Sequence, residues 1–204
     1  MSVQQSAPAP SGSVSRVAKA VTEVLQPAVW AAAMPVVVAL VASPTVGAGI
    51  RWGAFAALFS AVIPFGAILY AKRTGRVSDH HISQREQRKG VLLVGIASVA
   101  LSLVLFWLLD APRPLVAMIA VMLVVLAATT AVNQAWKMSA HAATAAGAVA
   151  VLTLLAGPPL AAGVLIVAVV GWSRVYLRAH TALQVIAGAA MGALLAAAVY
   201  AGIV

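Results

Sequence analysis

The chain contains no cysteine and only four acidic residues, Glu23, Asp79, Glu86 and Asp110. The first absence excludes disulfides, thiol nucleophiles and cysteine-held metals, and leaves the compartment open. The second argues against magnesium-dependent lipid transferases. Hard cations need clustered oxygen ligands, and these carboxylates form no paired Asp-rich motif. Charge is scarce altogether, at 8% of residues, against about 25% in soluble domains. Most of it has one sign: thirteen Lys and Arg give a formal net charge of +9.

What fills the chain is apolar, 63% of its 204 residues, with a mean hydropathy of +1.04. Apolar runs occupy 27–46, 52–71, 91–109, 114–133, 141–156, 159–177 and 182–203. A helix needs about 20 such residues to cross the hydrocarbon core, with roughly 17 the lower limit. Most runs qualify; 141–156 is short and would borrow from its flanks. Helices suit a bilayer because each satisfies its own backbone groups. The expected fold is all-α, a polytopic transmembrane helical bundle of about 6–7 spans.

Two regions are expected. Residues 1–26 form an N-terminal segment, disordered through about residue 13 and amphipathic beyond it, and 27–204 form the transmembrane domain. Val14, Val17, Val21 and Val24 recur at helical spacing beside Arg16 and Lys19, which suits a membrane surface or equally a solvated tail. No compact apolar core precedes Pro27, so the segment does not read as a cleavable signal. Gly188 and Gly192 make a small-xxx-small pattern in the last run. It reads first as packing within the chain, with a homo-oligomer as the alternative.

Three polar islands interrupt the runs: Asp79-His80-His81 through Arg88, Lys137 through His141, and Ser173-Arg174 through His180. Two apolar runs separate each successive pair, so the chain returns to one side and the islands can meet there. The opposite turns, 47–51, 110–113 and 157–158, hold Arg51, Asp110 and Arg113 and no histidine. Cations and imidazoles gathered at a bilayer surface suit a lipid phosphate. Nucleic acid is excluded as a partner, since no aromatic-basic reading surface is present.

Guanidinium groups hold phosphate oxygens bidentately, and hydroxyl and backbone N–H groups add donors. His81, Arg85 and Arg88 stand at i, i+4 and i+7, one face of a helix. Arg88 and Arg174 lead the phosphate-binding candidates, with Ser139, Lys137, Arg85, His81 and Arg178 beside them. Lys137 and Arg178 equally suit interfacial anchoring. His80, His81, His141 and His180 are enough for a zinc site, but no ligand spacing requires one. Neither metal nor cofactor is expected.

The islands resemble the type 2 phosphatidic acid phosphatase superfamily, integral membrane lipid phosphatases. Its pattern is Lys-x6-Arg-Pro, Pro-Ser-Gly-His and Ser-Arg-x5-His-x3-Asp. Ser173-Arg174 and His180 keep the third motif's spacing, and Ser139 and His141 keep the core of the second, with Met138 and Ala140 for its Pro and Gly. In the first, Arg88 fits, while His81 stands for Lys and Lys89 for Pro. The resemblance implies that His180 attacks phosphorus and that His141 protonates the leaving group and then activates water. Gln184 stands where the family has the Asp that orients the nucleophile. Its amide can orient the ring but supplies no charge, and Asp79 is the candidate for that missing charge.

The expected function is a metal-independent lipid phosphatase acting on a phosphomonoester or pyrophosphate of a phospholipid or polyprenyl lipid through a phosphohistidine. The alternative is a catalytically silent membrane protein that binds anionic lipid or scaffolds a partner complex. Lys72, Arg73, Arg76, Arg16 and Lys19 flank the island side, so the positive-inside rule expects a plasma-membrane protein with a cytoplasm-facing site.

Overall fold

Capping and proline placement set the helix starts. In the computed structural model, which describes residues 12–74 and 85–204 apart from the side chains of 85–89, 91 and 92, the described chain is helical almost throughout. α1 (Ser13–Val24) is followed by α2 (Pro27–Ala42), which opens on a proline that has no N–H to leave unpaired. The two meet at a bend of 46°. Thr45 caps α3 (Val46–Ala57), its hydroxyl accepting from Ala48 N at 3.2 Å. α3 runs through a π turn at Leu58–Val62 into α4 (Ile63–Arg73).

Pro64 explains a tie at that turn. Ile63 N bonds the Leu58 carbonyl in the π register. The next residue, Pro64, has no N–H to give the Phe59 carbonyl. Ser98 Oγ donates to that carbonyl at 2.6 Å, fastening α5 (Arg85–Leu108) to the α3–α4 helix. Phe106 of α5 also meets Trp52 and Phe55 of α3 edge to face.

α6 (Arg113–Ala135) is the central post. Leu115, Ala117, Met118, Ile119 and Val121 are buried along it, in one core with Val38 of α2, Val151 of α7 (Ala140–Ala156) and Tyr200 of α9 (Ala182–Ile203). Between α7 and α9, a 3-10 segment (Pro158–Gly163) leads into α8 (Val164–Tyr176). α8 packs on α7 and α9, and α1 packs on α8. Elsewhere large apolar side chains face outward, among them Trp107, Leu108, Leu165, Leu183 and Leu194. That surface is costly in water and ordinary against lipid tails.

Among the described residues, four helices are long and apolar enough to cross a membrane: Val46–Arg73, Arg113–Ala135, Pro158–Tyr176 and Ala182–Ile203. The bent α1–α2 pair makes a fifth if it counts as one span. Leu93–Leu108 and Ala140–Ala156 are apolar but shorter. The structure therefore supports four or five of the six to seven spans expected from sequence. The first half of the first island, with Asp79, His80 and His81, lies outside the described residues.

The two ends of the bundle differ. Arg51, Trp52, Phe55 and Leu109 line one small pocket, which puts the start of α3 beside the end of α5. α6 leaves from that end and arrives at Lys137, about 34 Å away for 23 helical residues.

Candidate functional site at the α7 and α9 N-termini

Two helix starts converge at the Lys137 end. Ser139 caps α7, its Oγ accepting from Ala142 N at 3.3 Å, and its own N–H donates to the Gln184 carbonyl of α9 at 3.2 Å. This approach needs glycine. A Cβ on Gly188 would stand 2.5 Å from the Ser139 carbonyl oxygen, and one on Gly192 would collide with the Ala143 carbonyl. The small-xxx-small pair thus serves α7–α9 packing within the chain. Helix N-termini carry free N–H groups and a positive partial charge, so two of them together favour an anion.

His180 is brought here by the turn that ends α8. Ala179 N bonds the Arg174 carbonyl at 3.0 Å and Arg178 N bonds the Val175 carbonyl at 2.9 Å, the paired bonds of a Schellman cap. Arg178 occupies the left-handed position with φ 54°, where glycine is usual. His180 N also bonds the Arg174 carbonyl, at 3.2 Å, holding the histidine close beneath the end of α8. Thr181 then caps α9 in a capping box. Its Oγ1 accepts from Gln184 N at 3.3 Å, and Gln184 Oε1 accepts from Thr181 N at 3.0 Å.

The surroundings of the His180 imidazole favour its neutral form. Burial pushes its pKa below the ordinary 6.5, and the positive charges of Arg174 and Lys137 push the same way. The Lys137 carbonyl and the Gln184 side chain, both near the ring, oppose this more weakly. Nδ1 is buried and has no hydrogen-bond partner among the described residues. The Gln184 amide oxygen accepts from the Thr181 backbone N–H, and the same side chain also acts on the His180 ring, as expected of an orienting group.

Arg174 is half-buried in the last turn of α8, and its Nη1 donates to Thr22 Oγ1 of α1 at 3.3 Å. Its Nε is buried with no partner among the described residues. The charge of Glu23 acts on the same guanidinium. Ser173, fully buried, donates to the Val170 carbonyl at 2.7 Å and meets Thr22 Oγ1 at 3.3 Å. Neither Thr22 nor Glu23 was singled out from sequence, because neither belongs to a motif. The available signal was the scarcity of acids, which makes a carboxylate at the end of an amphipathic helix worth placing.

The structure therefore gathers Lys137, Ser139, Arg174, His180 and Gln184 at one end of the bundle. His141, half-buried at the second position of α7, belongs to the same end and interacts with its surroundings. Lys137 and Arg178 are exposed, as residues near a membrane surface would be. The side chains of Arg85 and Arg88, like the whole of Asp79, His80 and His81, lie outside the described residues. Among those described, no three His, Asp or Glu side chains are placed to share a metal ion.

Beside this end lies a cavity of about 980 Å³, at the upper end of the range for ligand pockets. Its walls are almost wholly apolar, from Trp30 and Val37 of α2, Phe65 of α4, Val99 of α5 and Met122 of α6. It reaches Ala140, the residue between Ser139 and His141.

Residues 90–204, more than half of the chain, match the family model described as the PAP2 superfamily. That stretch holds the second and third islands and the two helix starts that carry them. No curated protein and no solved structure shows significant similarity to the chain.

Proposed function

The chain belongs to the PAP2 superfamily, whose members are generally phosphatases, and from that premise we propose that it hydrolyses a lipid phosphate through a phosphohistidine on His180. The observation that carries this reading is the environment of His180. A half-buried imidazole flanked by two cations favours the unprotonated form near neutral pH, as a nucleophile requires.

The substrate phosphate sits between the N-termini of α7 and α9, its oxygens held by Arg174, Arg88, Ser139 and Lys137. Arg178 borders it, and Arg85 and His81 are further candidates from the sequence pattern alone. With Nδ1 buried, Nε2 is the nitrogen that attacks. The N–P bond forms as the P–O bond to the lipid breaks, and protonated His141 gives its proton to the departing alkoxide. Neutral His141 then takes a proton from water, the new hydroxyl attacks phosphorus, and the N–P bond breaks to release phosphate. The imidazolium-like charge on His180 lacks the carboxylate usual in the family. Gln184 and the Lys137 carbonyl stand near the ring instead, and Asp79 remains the candidate counter-charge.

The lipid's hydrocarbon enters sideways between helices, and the apolar cavity that reaches Ala140 is of a size and lining to take it. Phosphatidic acid, phosphatidylglycerol phosphate and polyprenyl phosphates or pyrophosphates all fit this description. The basic residues flanking the site favour a cytoplasm-facing orientation in the plasma membrane.

The test is phosphate release from that lipid panel in detergent with EDTA present. Wild type should turn over at least one substrate, and His180→Ala and His141→Ala should not. Absence of release from the whole panel by folded protein would favour the silent anionic-lipid-binding reading, and loss of release on adding EDTA would indicate a metal.

A further inference from the structure

α1 lies outside the family match, and the pattern of motifs gives it no part in the chemistry. Its last turn nevertheless touches Arg174. Three short-range facts fix the polarity of that contact. Ser173 has one hydroxyl hydrogen, and it is spent on the Val170 carbonyl at 2.7 Å. Ser173 Oγ is therefore the acceptor in its 3.3 Å pairing with Thr22 Oγ1, and the Thr22 hydroxyl is the donor. That leaves the lone pairs of Thr22 Oγ1 to accept from Arg174 Nη1, also at 3.3 Å. The chain Arg174 Nη1–H to Thr22 O–H to Ser173 O–H to Val170 carbonyl runs in one direction with every hydrogen used once.

We propose that Thr22 is a positioning residue of the active site: its hydroxyl anchors Arg174 Nη1, so that the buried Nε and the remaining guanidinium N–H groups are turned to the substrate phosphate. This rests on the proposed phosphate-binding role of Arg174. The arrangement has a physical purpose. An arginine side chain has many rotamers, and freezing it only when substrate arrives costs binding free energy. Anchoring one nitrogen in advance makes the guanidinium fork ready to bind. α1 is held for this work by its small face: Ser15 and Ala18 are buried and Thr22 is half-buried, while Val14, Val17 and Val24 stay exposed. The 3.3 Å distances are long for hydroxyl hydrogen bonds, and bonds of this kind tighten when substrate completes a site. Glu23, one residue on, adds a negative charge near the same guanidinium.

The experiment uses the full chain in detergent, with dioctanoyl phosphatidic acid as substrate and inorganic phosphate as inhibitor and thermal-shift ligand. Thr22→Val keeps the shape and removes the hydroxyl; Thr22→Ser restores the hydroxyl alone. Thr22→Val should weaken inorganic phosphate binding about tenfold, the scale of one hydrogen bond to a charged group. Its KM should rise by a similar factor, Thr22→Ser should recover wild-type values, and neither change should add to Arg174→Ala. If Thr22→Val does not yield folded protein, Thr22→Ala is read by the same phosphate titration. Thr22 variants that bind phosphate as wild type does, while Arg174→Ala does not, overturn the positioning role and leave Arg174 in place. Full phosphate binding by Arg174→Ala overturns the proposal by removing the reading of Arg174 on which it rests.

Discussion

At His180 the electrostatics make a claim about pH. Its folded-state pKa lies below the ordinary 6.5 because of burial, Arg174 and Lys137, in that order. The neutral nucleophile therefore persists into mild acid, and the acid limb of the activity profile should fall below 6.5. Lys137→Gln removes one of the two cations, so it should move that limb upward, towards 6.5, as read from kcat/KM against pH. Stability follows by linkage. Below 6.5 the unfolded chain binds a proton that folded His180 resists, so acid costs stability from 6.5 downward until the folded-state pKa is passed. His180→Gln should flatten that part of a melting-temperature profile, and an unchanged slope would show that other groups set it. The histidines and arginines of this site were legible as residue types at motif spacing. The Thr22 contact was not, because a hydroxyl 152 positions away in sequence leaves no local pattern.

Helix ends and helix contacts carry the next set of consequences. Gly188 and Gly192 let the start of α9 reach the start of α7, and their spacing was readable in advance as a packing stripe. Gly188→Ala pushes a methyl into the Ser139 carbonyl. It should cost about 1–3 kcal/mol, the usual range for overpacking a tight contact, and should reduce turnover by separating Ser139 from Gln184. Thermal unfolding in detergent and phosphate release measured together would check both. Arg178 is the opposite case. Held at φ 54°, it carries about 1–2 kcal/mol of left-handed strain, against roughly 0.5–1 kcal/mol of extra chain entropy for glycine. Arg178→Gly should leave the melting temperature unchanged or raise it slightly. A large fall would mean that the side chain is anchored in a way its exposure does not suggest. Sequence marked Arg178 only as a cation, since a Schellman turn without its glycine has no signature. Asp110, marked only as one of the few acids, likewise closes α5 in such a turn with a φ of 52°.

In the described residues the molecule is a helical bundle whose second and third polar islands share one end. Apolar runs and the even number of runs between islands made that polarity visible from sequence. For the second and third islands the geometry agrees: Arg51 and Leu109 share a pocket at one end, and Lys137 and Arg174 lie close to His180 at the other. Span number was less legible, because Ala140–Ala156 and Leu93–Leu108 are apolar yet shorter than a full crossing. Hydropathy alone does not say whether tilting or flanking residues make up the difference. The absence of native cysteine gives a clean test of orientation. Trp136→Cys, beside the site, should resist a membrane-impermeant maleimide in intact cells, and Asp110→Cys should react. The reverse pattern would place the site outside.

The central claim is a covalent bond between phosphorus and His180, so the most direct measurement is to trap it. Protein turning over a lipid labelled in its phosphate is quenched in alkali, which preserves phosphohistidine, and the label is mapped by peptide mass spectrometry. The account predicts label on the peptide that contains His180, and none with His180→Ala. Turnover without label on that histidine, or label that persists in His180→Ala, would contradict it.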